Sequence, residues 1–212
     1  MKLIGRYDSP FVRRVGISLH LLGMPFEQLP LSVFSEAAEV RKFSPLGRVP
    51  VLVLADGEVL VDSAAILDHL DEVAGPERRL MPTAGAARLR VLRTVVTATG
   101  AADKAIAISY ERRRPAGQQS ADWMERCRVQ IEAALGDLEA GWSTSKTPTQ
   151  AEVTTATMLA YVRRVEPEIV AAGRYPRLER MAADCEGLPA FRACPLPAGA
   201  SAPIIDVEKR AC

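Results

Sequence analysis

A chain of 212 residues suits one large domain or two small ones and is long enough to bury a sizeable core. Its 48% hydrophobic and 25% charged content is that of a globular protein, and a formal net charge of +1 supplies no bulk field for nucleic acid or anionic lipid. Lys2 and Arg6 interrupt the N-terminus too early for a secretory apolar core, and no apolar run approaches the ~18 residues of a membrane span, so a cytoplasmic protein is expected.

Residues 3–7 read as a short strand, and Ser9-Pro10 then opens a helix, serine suiting the N-cap and proline the first helical position. Val12, Val15, Leu19 and Leu22 recur at helical spacing, and Gly23 closes the helix. A second strand is expected over 26–31 and a short polar helix over 35–43. Residues 51–54 form an apolar strand, Asp56-Gly57 is a hairpin signal, and 59–61 return. A helix follows over 63–73, with Ile66, Leu67, Leu70 and Val73 inward, until Gly75-Pro76. The order β-α-β-α-β-β-α describes a small α/β domain over 1–75, its opening strand-helix-strand unit parallel and right-handed.

Residues 76–86 read as a linker. Beyond it the period is 3.6 throughout, so an all-helical domain is expected over 87–194. Leu89, Leu92 and Val96 mark a long helix toward Arg114, stopped by Pro115, and Cys127, Ile131, Ala134, Leu135, Leu138 and Trp142 mark another. Thr149 and Glu152 form a capping box ahead of Val153, Ala156, Ala160 and Tyr161. Leu178, Met181, Ala182 and Cys185 give a last helix, and 195–212 read as an irregular tail. Cys127, Cys185, Cys194 and Cys212 are widely spaced without Cys-x-x-Cys, and His20 and His69 have no metal-like partner, so neither a disulfide framework nor a metal is expected.

Two stretches carry chemistry. Proline at position 50, just before an apolar run, belongs at a strand entry or a tight turn. A cis Val49-Pro50 bond would turn the Val49 main chain outward, free to pair with another peptide-like molecule. Asp62-Ser63 opens the next helix, whose N-terminus attracts carboxylates. Together they describe a socket for a small peptide with a free carboxylate. A plain turn and an ordinary helix cap are the alternative.

The segments Tyr7-Asp8-Ser9-Pro10-Phe11-Val12-Arg13-Arg14-Val15, Ser44-Pro45-Leu46-Gly47-Arg48-Val49-Pro50-Val51-Leu52 and Asp62-Ser63-Ala64-Ala65-Ile66-Leu67, with the Thr149–Glu152 box behind them, resemble the cytosolic glutathione transferase superfamily. The resemblance runs to about Cys194. It implies a thioredoxin-like N-terminal domain, a helical C-terminal domain, a homodimer, glutathione as co-substrate and a small electrophile as second substrate, the chemistry of detoxification. Val49 would pair with the cysteinyl part of glutathione, Pro50 would be the cis proline, and Asp62 and Ser63 would hold the γ-glutamyl end. Arg48 stands where relatives often have lysine, and its fork suits the glycyl carboxylate.

Ser9 lies where some classes carry a catalytic serine or cysteine. Lowering a thiol from ~8.5 to ~6.5 takes about 2.7 kcal/mol of preference for the thiolate. One hydroxyl donor supplies about 1.5–3 kcal/mol and a helix dipole about 0.3–2, so no general base is needed. Tyr7 is the rival donor, because other classes use a tyrosine near the end of the first strand. Serine rather than cysteine at position 9 precludes a mixed disulfide there. Conjugation is therefore favoured over glutaredoxin-like exchange; a glutathione-dependent isomerase, dehalogenase or disulfide reductase, or an interaction module without turnover, are the other readings. Tyr110, Arg113 and Trp142 are candidates to approach the second-substrate pocket, but Tyr110 and Trp142 are expected instead in the core or the domain interface. Arg113 is expected in solvent, within a cationic helix end of Arg112, Arg113 and Arg114.

Overall fold

The computed structural model describes residues 1–143, 145 and 147–197. Its N-terminal part runs β1 (Lys2–Ile4), α1 (Pro10–Leu21), β2 (Glu27–Leu29), α2 (Ala37–Arg41), β3 (Val51–Val53), β4 (Val59–Val61) and α3 (Ser63–Ala74), the expected order. The strands form one sheet in the order β2-β1-β3-β4. β1 and β2 are parallel, as a strand-helix-strand unit requires, and both other pairings are antiparallel. Gly57 at φ +94° and the Asp56 carboxylate, which accepts from Glu58 N–H, make the β3–β4 turn.

β1 is shorter than the strand expected over 3–7, because the chain turns at Gly5. Gly5 has φ +127°, and a Cβ there would lie 2.5 Å from Val12 Cγ2 and 3.0 Å from Val49 Cβ, so only glycine lets these segments close together. The apolar stripe Val12, Val15, Leu19 and Leu22 is buried as expected. Ile66, Leu67 and Leu70 are buried on α3, but Val73 is 60% exposed. The inward position at that end of α3 belongs to Ala74, and to Asp71, whose carboxylate accepts from Leu80 N–H at 2.7 Å and Met81 N–H at 3.0 Å. A buried carboxylate so satisfied ties the connecting segment back to α3.

The helical part comprises α4 (Gly85–Glu111), α5 (Ala121–Gly141), α6 (Gln150–Val165), α7 (Pro176–Glu186) and the short α8 (Pro189–Arg192). Leu89, Leu92 and Val96 mark α4 correctly as a helix but not its core face: they are 68%, 37% and 67% exposed. The buried face is Val91, Ala98, Ala101, Ala102, Ala105 and Ile108, small residues that let α5 and α6 pack close. α6 is the central rod, buried over most of its length, and its Thr149–Glu152 capping box is complete. Among the described residues Cys127, Cys185 and Cys194 are free thiols, and no helix is long and apolar enough to cross a membrane. Cys212, and the tail expected after Pro195 from residue 198 onward, lie outside the described residues.

α1 joins the two parts. Arg13, 1% exposed, donates from Nε to the Cys194 carbonyl at 2.9 Å and from both terminal nitrogens to Glu186 at 2.7 Å. One turn further, Ser18 accepts from Gln150 Nε2 at 2.9 Å. Buried charge needs such partners to be tolerated, and here they span the two halves of the chain.

Candidate active site

Two clusters form at the junction. The first is a cleft between the start of α1 and the second half of α4, lined by Ser9 and Val49 together with Pro10, Leu31, Phe34, Ile106, Tyr110 and Arg113. Ser9 is the N-cap of α1, and its Oγ accepts from Val12 N–H at 3.4 Å. That bond uses an oxygen lone pair and leaves the hydroxyl hydrogen for an acceptor in the cleft. The Val49-Pro50 bond is cis and Pro50 is buried. Between Arg48, whose N–H reaches Ser44 Oγ, and the start of β3, the main-chain N–H and C=O of Val49 make no hydrogen bond among the described residues.

The second cluster lies at the start of α3. Asp62 has φ +79°, and its Oδ1 accepts from Ala64 N–H at 2.7 Å, capping the helix. Ser63 is buried, and its Oγ accepts from Arg14 Nη2 at 2.6 Å. Arg14 is itself 3% exposed, and its Nε has no hydrogen-bond partner. Burial pulls the Arg14 guanidinium down to about 10, while the charges of Asp62 and Asp103 act to hold it up. Asp103, on α4, completes the group: burial raises its carboxyl, the charges of Arg48, Lys104 and Arg14 draw it down, and Asp62 pushes it up. Two carboxylates flanked by two guanidiniums offer complementary partners to a zwitterion such as an α-amino acid group.

Five of the six residues singled out in the sequence sit at this junction, Ser9 and Val49 in the cleft and Arg48, Asp62 and Ser63 around the second cluster, with Pro50 buried next to Val49 in the chain. Tyr7 does not join them. It faces the opposite side of α1, where a Cβ on Gly16 would meet its hydroxyl at 3.0 Å and Cys194 Sγ at 3.1 Å. Burial first, and then the Cys194 thiol beside it, push the Tyr7 hydroxyl far above its ordinary range.

Sequence reasoning missed Arg14 and Asp103, and although Tyr110 and Arg113 were candidates for the second-substrate pocket, it favoured solvent for Arg113. Tyr110 is 51% exposed at the cleft between the two parts, at the domain interface and not in the core. Arg113 lines the cleft instead of standing in solvent, its guanidinium carbon 3.5 Å from the centre of the Phe34 ring. Arg112 is paired with Glu166 and Arg114 with Glu111, so this is not a freely solvated cationic end. Trp142 borders a separate cavity of about 730 Å³ between α4, α5 and the start of α6, which contains none of these site residues. A polar residue one turn inside an otherwise apolar helix face was the available signal for Arg14. No comparable signal marks Asp103, whose place depends on how the helical part meets the N-terminal part.

The chain matches the family described as Glutathione S-transferase, N-terminal domain over residues 3–78, and that described as Glutathione S-transferase, C-terminal domain over 121–192. It is 35% identical to the uncharacterized GST-like protein YibF of Escherichia coli K12, over 79% of this chain and 85% of that protein. It is 29% identical to a maleylacetoacetate isomerase of Pseudomonas aeruginosa, over 91% and 94%. Among solved structures it resembles a glutathione S-transferase of Methylobacterium radiotolerans in complex with glutathione sulfonate, with a TM-score of 0.84, 29% identity and coverage of 91% and 93%. A glutathione transferase family member of Pseudomonas fluorescens with bound glutathione matches with a TM-score of 0.84 and 29% identity, covering 92% and 98%. Both halves of the chain, and the motifs that join them, therefore point the same way: the chain belongs to the cytosolic glutathione transferase superfamily.

Proposed function

We propose that this protein binds glutathione along the Val49 edge and stabilises its thiolate for attack on a small electrophile held against α4. The observation that carries this reading is the meeting, in one cleft, of an unpaired main-chain edge at Val49 and the N-cap hydroxyl of Ser9. Glutathione would lie with its cysteinyl amide against Val49 and its γ-glutamyl end against Asp62, Ser63, Arg14 and Asp103. Its glycyl carboxylate would face Arg48, and its sulfur Ser9. Ser9 is the thiolate donor in this reading, since Tyr7 faces Cys194 on the far side of α1.

A second reading, isomerisation through reversible addition of the same thiolate, draws support from the similarity to a maleylacetoacetate isomerase across nearly the whole chain. Both reactions use the glutathione site and differ only in what occupies the rest of the cleft. In either case we place the protein in the cytoplasm as a homodimer, with the exposed Leu89, Leu92 and Val96 stripe available to a second copy.

Calorimetric titration tests the reading. Glutathione should bind at millimolar concentration or below, and an ultraviolet thiolate band should develop at neutral pH. Ser9→Ala should remove most of that band and lower kcat about 10- to 100-fold, the scale of one charge-assisted hydrogen bond. No binding at millimolar glutathione would exclude the enzyme; an unchanged band in Ser9→Ala would exclude the role of Ser9.

A further inference from the structure

The cleft beside Ser9 is cationic as well as apolar. Arg6, Arg113 and Arg164 line it against a single carboxylate, Asp8. Arg6 approaches Asp8 at 3.8 Å, whereas neither Arg113 nor Arg164 forms an ion pair among the described residues. The contrast within one helix end is sharp: Arg112 and Arg114 have Glu166 and Glu111, and the arginine between them has no carboxylate. Nε and Nη2 of Arg113 are buried and lack any hydrogen-bond partner. Those two nitrogens are closed off from the cleft, whereas Nη1 is not, so an acceptor entering the cleft meets the unneutralised guanidinium at Nη1.

Geometry limits what that acceptor is. Phe34 covers one face of the Arg113 guanidinium and Tyr110 lies 5.7 Å away, so an anion approaches in the guanidinium plane at Nη1, as a carboxylate oxygen does. Arg164 stands over the Tyr161 ring at 5.0 Å on the same cleft wall. The γ-glutamyl and glycyl carboxylates of glutathione do not account for Arg113. Asp103, in the γ-glutamyl cluster, lies eight residues before the end of α4, about 12 Å along the helix axis, and Arg113 lies beyond that end. Pro10, Leu31, Val33, Phe34 and Ile106 supply apolar surface between Ser9 and the arginines.

We infer that the second substrate is an electrophile with an apolar body and a carboxylate, and that Arg113, backed by Arg164, is the residue that selects for it. This rests on glutathione occupying the Val49 edge as proposed above. Ser9 then faces the sulfur, the apolar wall holds the electrophilic carbon, and the carboxylate meets Arg113 at the far end.

Two glutathione conjugates that differ in one group test the assignment: S-(p-carboxybenzyl)glutathione and its neutral isostere S-(p-carbamoylbenzyl)glutathione. Calorimetry on the full chain should show the carboxylate conjugate binding about 10- to 100-fold tighter, the range of a hydrogen bond to a charged group. Arg113→Gln should remove most of that preference and Arg164→Gln part of it, with the affinity for glutathione itself unaltered in both. Equal affinity for the two conjugates in the unmodified protein would overturn the inference. So would a preference that survives both substitutions, or binding of glutathione without either conjugate. In those outcomes glutathione still binds and the proposed function stands; absence of glutathione binding instead removes the reading on which the inference rests.

Discussion

Arg14 Nη2 donates to Ser63 Oγ across 2.6 Å, joining the second turn of α1 to the first residue of α3 beneath the proposed γ-glutamyl site. The bond occupies a lone pair of the hydroxyl and leaves its hydrogen to point outward. It also places a guanidinium behind the helix N-terminus, so two positive influences act on one carboxylate position. Arg14→Gln keeps a donor but removes the charge. It should raise the glutathione Kd about 10-fold, the scale of a charge-assisted bond, with a smaller change in kcat measured at saturating glutathione. A Kd within a factor of two of the parent would show that Arg14 is structural only.

Asp62 combines two roles that substitution can separate. Its backbone lies at φ +79° and ψ 131°, outside the left-handed helical region, and its Oδ1 caps Ala64 N–H. Asp62→Asn retains the conformation and a cap to Ala64 but loses the negative charge, so its effect should fall on glutathione KM, about 10-fold upward, at little cost in stability. Asp62→Ala should show the same rise in KM and in addition lose about 0.5–2 kcal/mol of stability from the missing cap. Denaturant melts beside steady-state kinetics distinguish the two; equal stability of both variants would contradict this account.

The capping box at Thr149 contributes no residue to the cleft lining and should behave as a structural device. Glu152 Oε2 accepts from Thr149 N–H at 2.8 Å and from Thr149 Oγ1 at 2.7 Å, and Ala151 N–H donates to Thr149 Oγ1 at 3.1 Å. Thr149→Ala should cost about 0.5–2 kcal/mol. For a chain of this size each kcal/mol lowers Tm by about 2–4 °C. Glutathione affinity at a temperature where both proteins are folded should not change.

Alkaline pH should destabilise the fold through its buried thiols and phenols. Burial pushes the Cys185 thiol up to about 12, with Glu152 and Glu186 adding to the effect, and it raises Cys194, Tyr161 and Tyr175 in the same direction. The unfolded chain releases the Cys185 proton near its ordinary value of 9.0, while the folded chain keeps it to about 12. Stability is therefore fully present below pH ~9 and declines as pH rises from there toward 12. Thermal melts at stepped pH should show this fall, and Cys185→Ala should flatten part of it, although the substitution lowers Tm at neutral pH by leaving a small void. A melt independent of pH up to 11 would refute the assignment.

The element order was legible because each signal in it is local. Ser9-Pro10 must start a helix, Gly23 and Gly75 end theirs, Asp56-Gly57 turns the hairpin, and Thr149 with Glu152 caps α6; each needs only a few neighbouring residues. The direction faced by a helix was less legible. On α4 the bulky stripe Leu89, Leu92 and Val96 carries more hydrophobic weight than the alanines opposite. The core nevertheless chose the alanines, because three helices crossing closely need small side chains between them. At the end of the same helix three adjacent arginines look alike in sequence, yet two meet glutamates and one turns to the cleft.

What the amino-acid order determined by itself, then, was the succession of strands and helices and the chemical identity of Ser9, Val49, Pro50, Asp62 and Ser63, since caps, turns and prolines act over one or two turns of chain. Only the folded molecule decided that Tyr7 faces Cys194 while Ser9 faces the cleft, that Arg14 backs Ser63 from 49 positions away, and that Arg113 is left without a carboxylate. These depend on how α1, α3 and α4 are brought together. That packing is set by the summed burial of many side chains, and no short run of residues contains it.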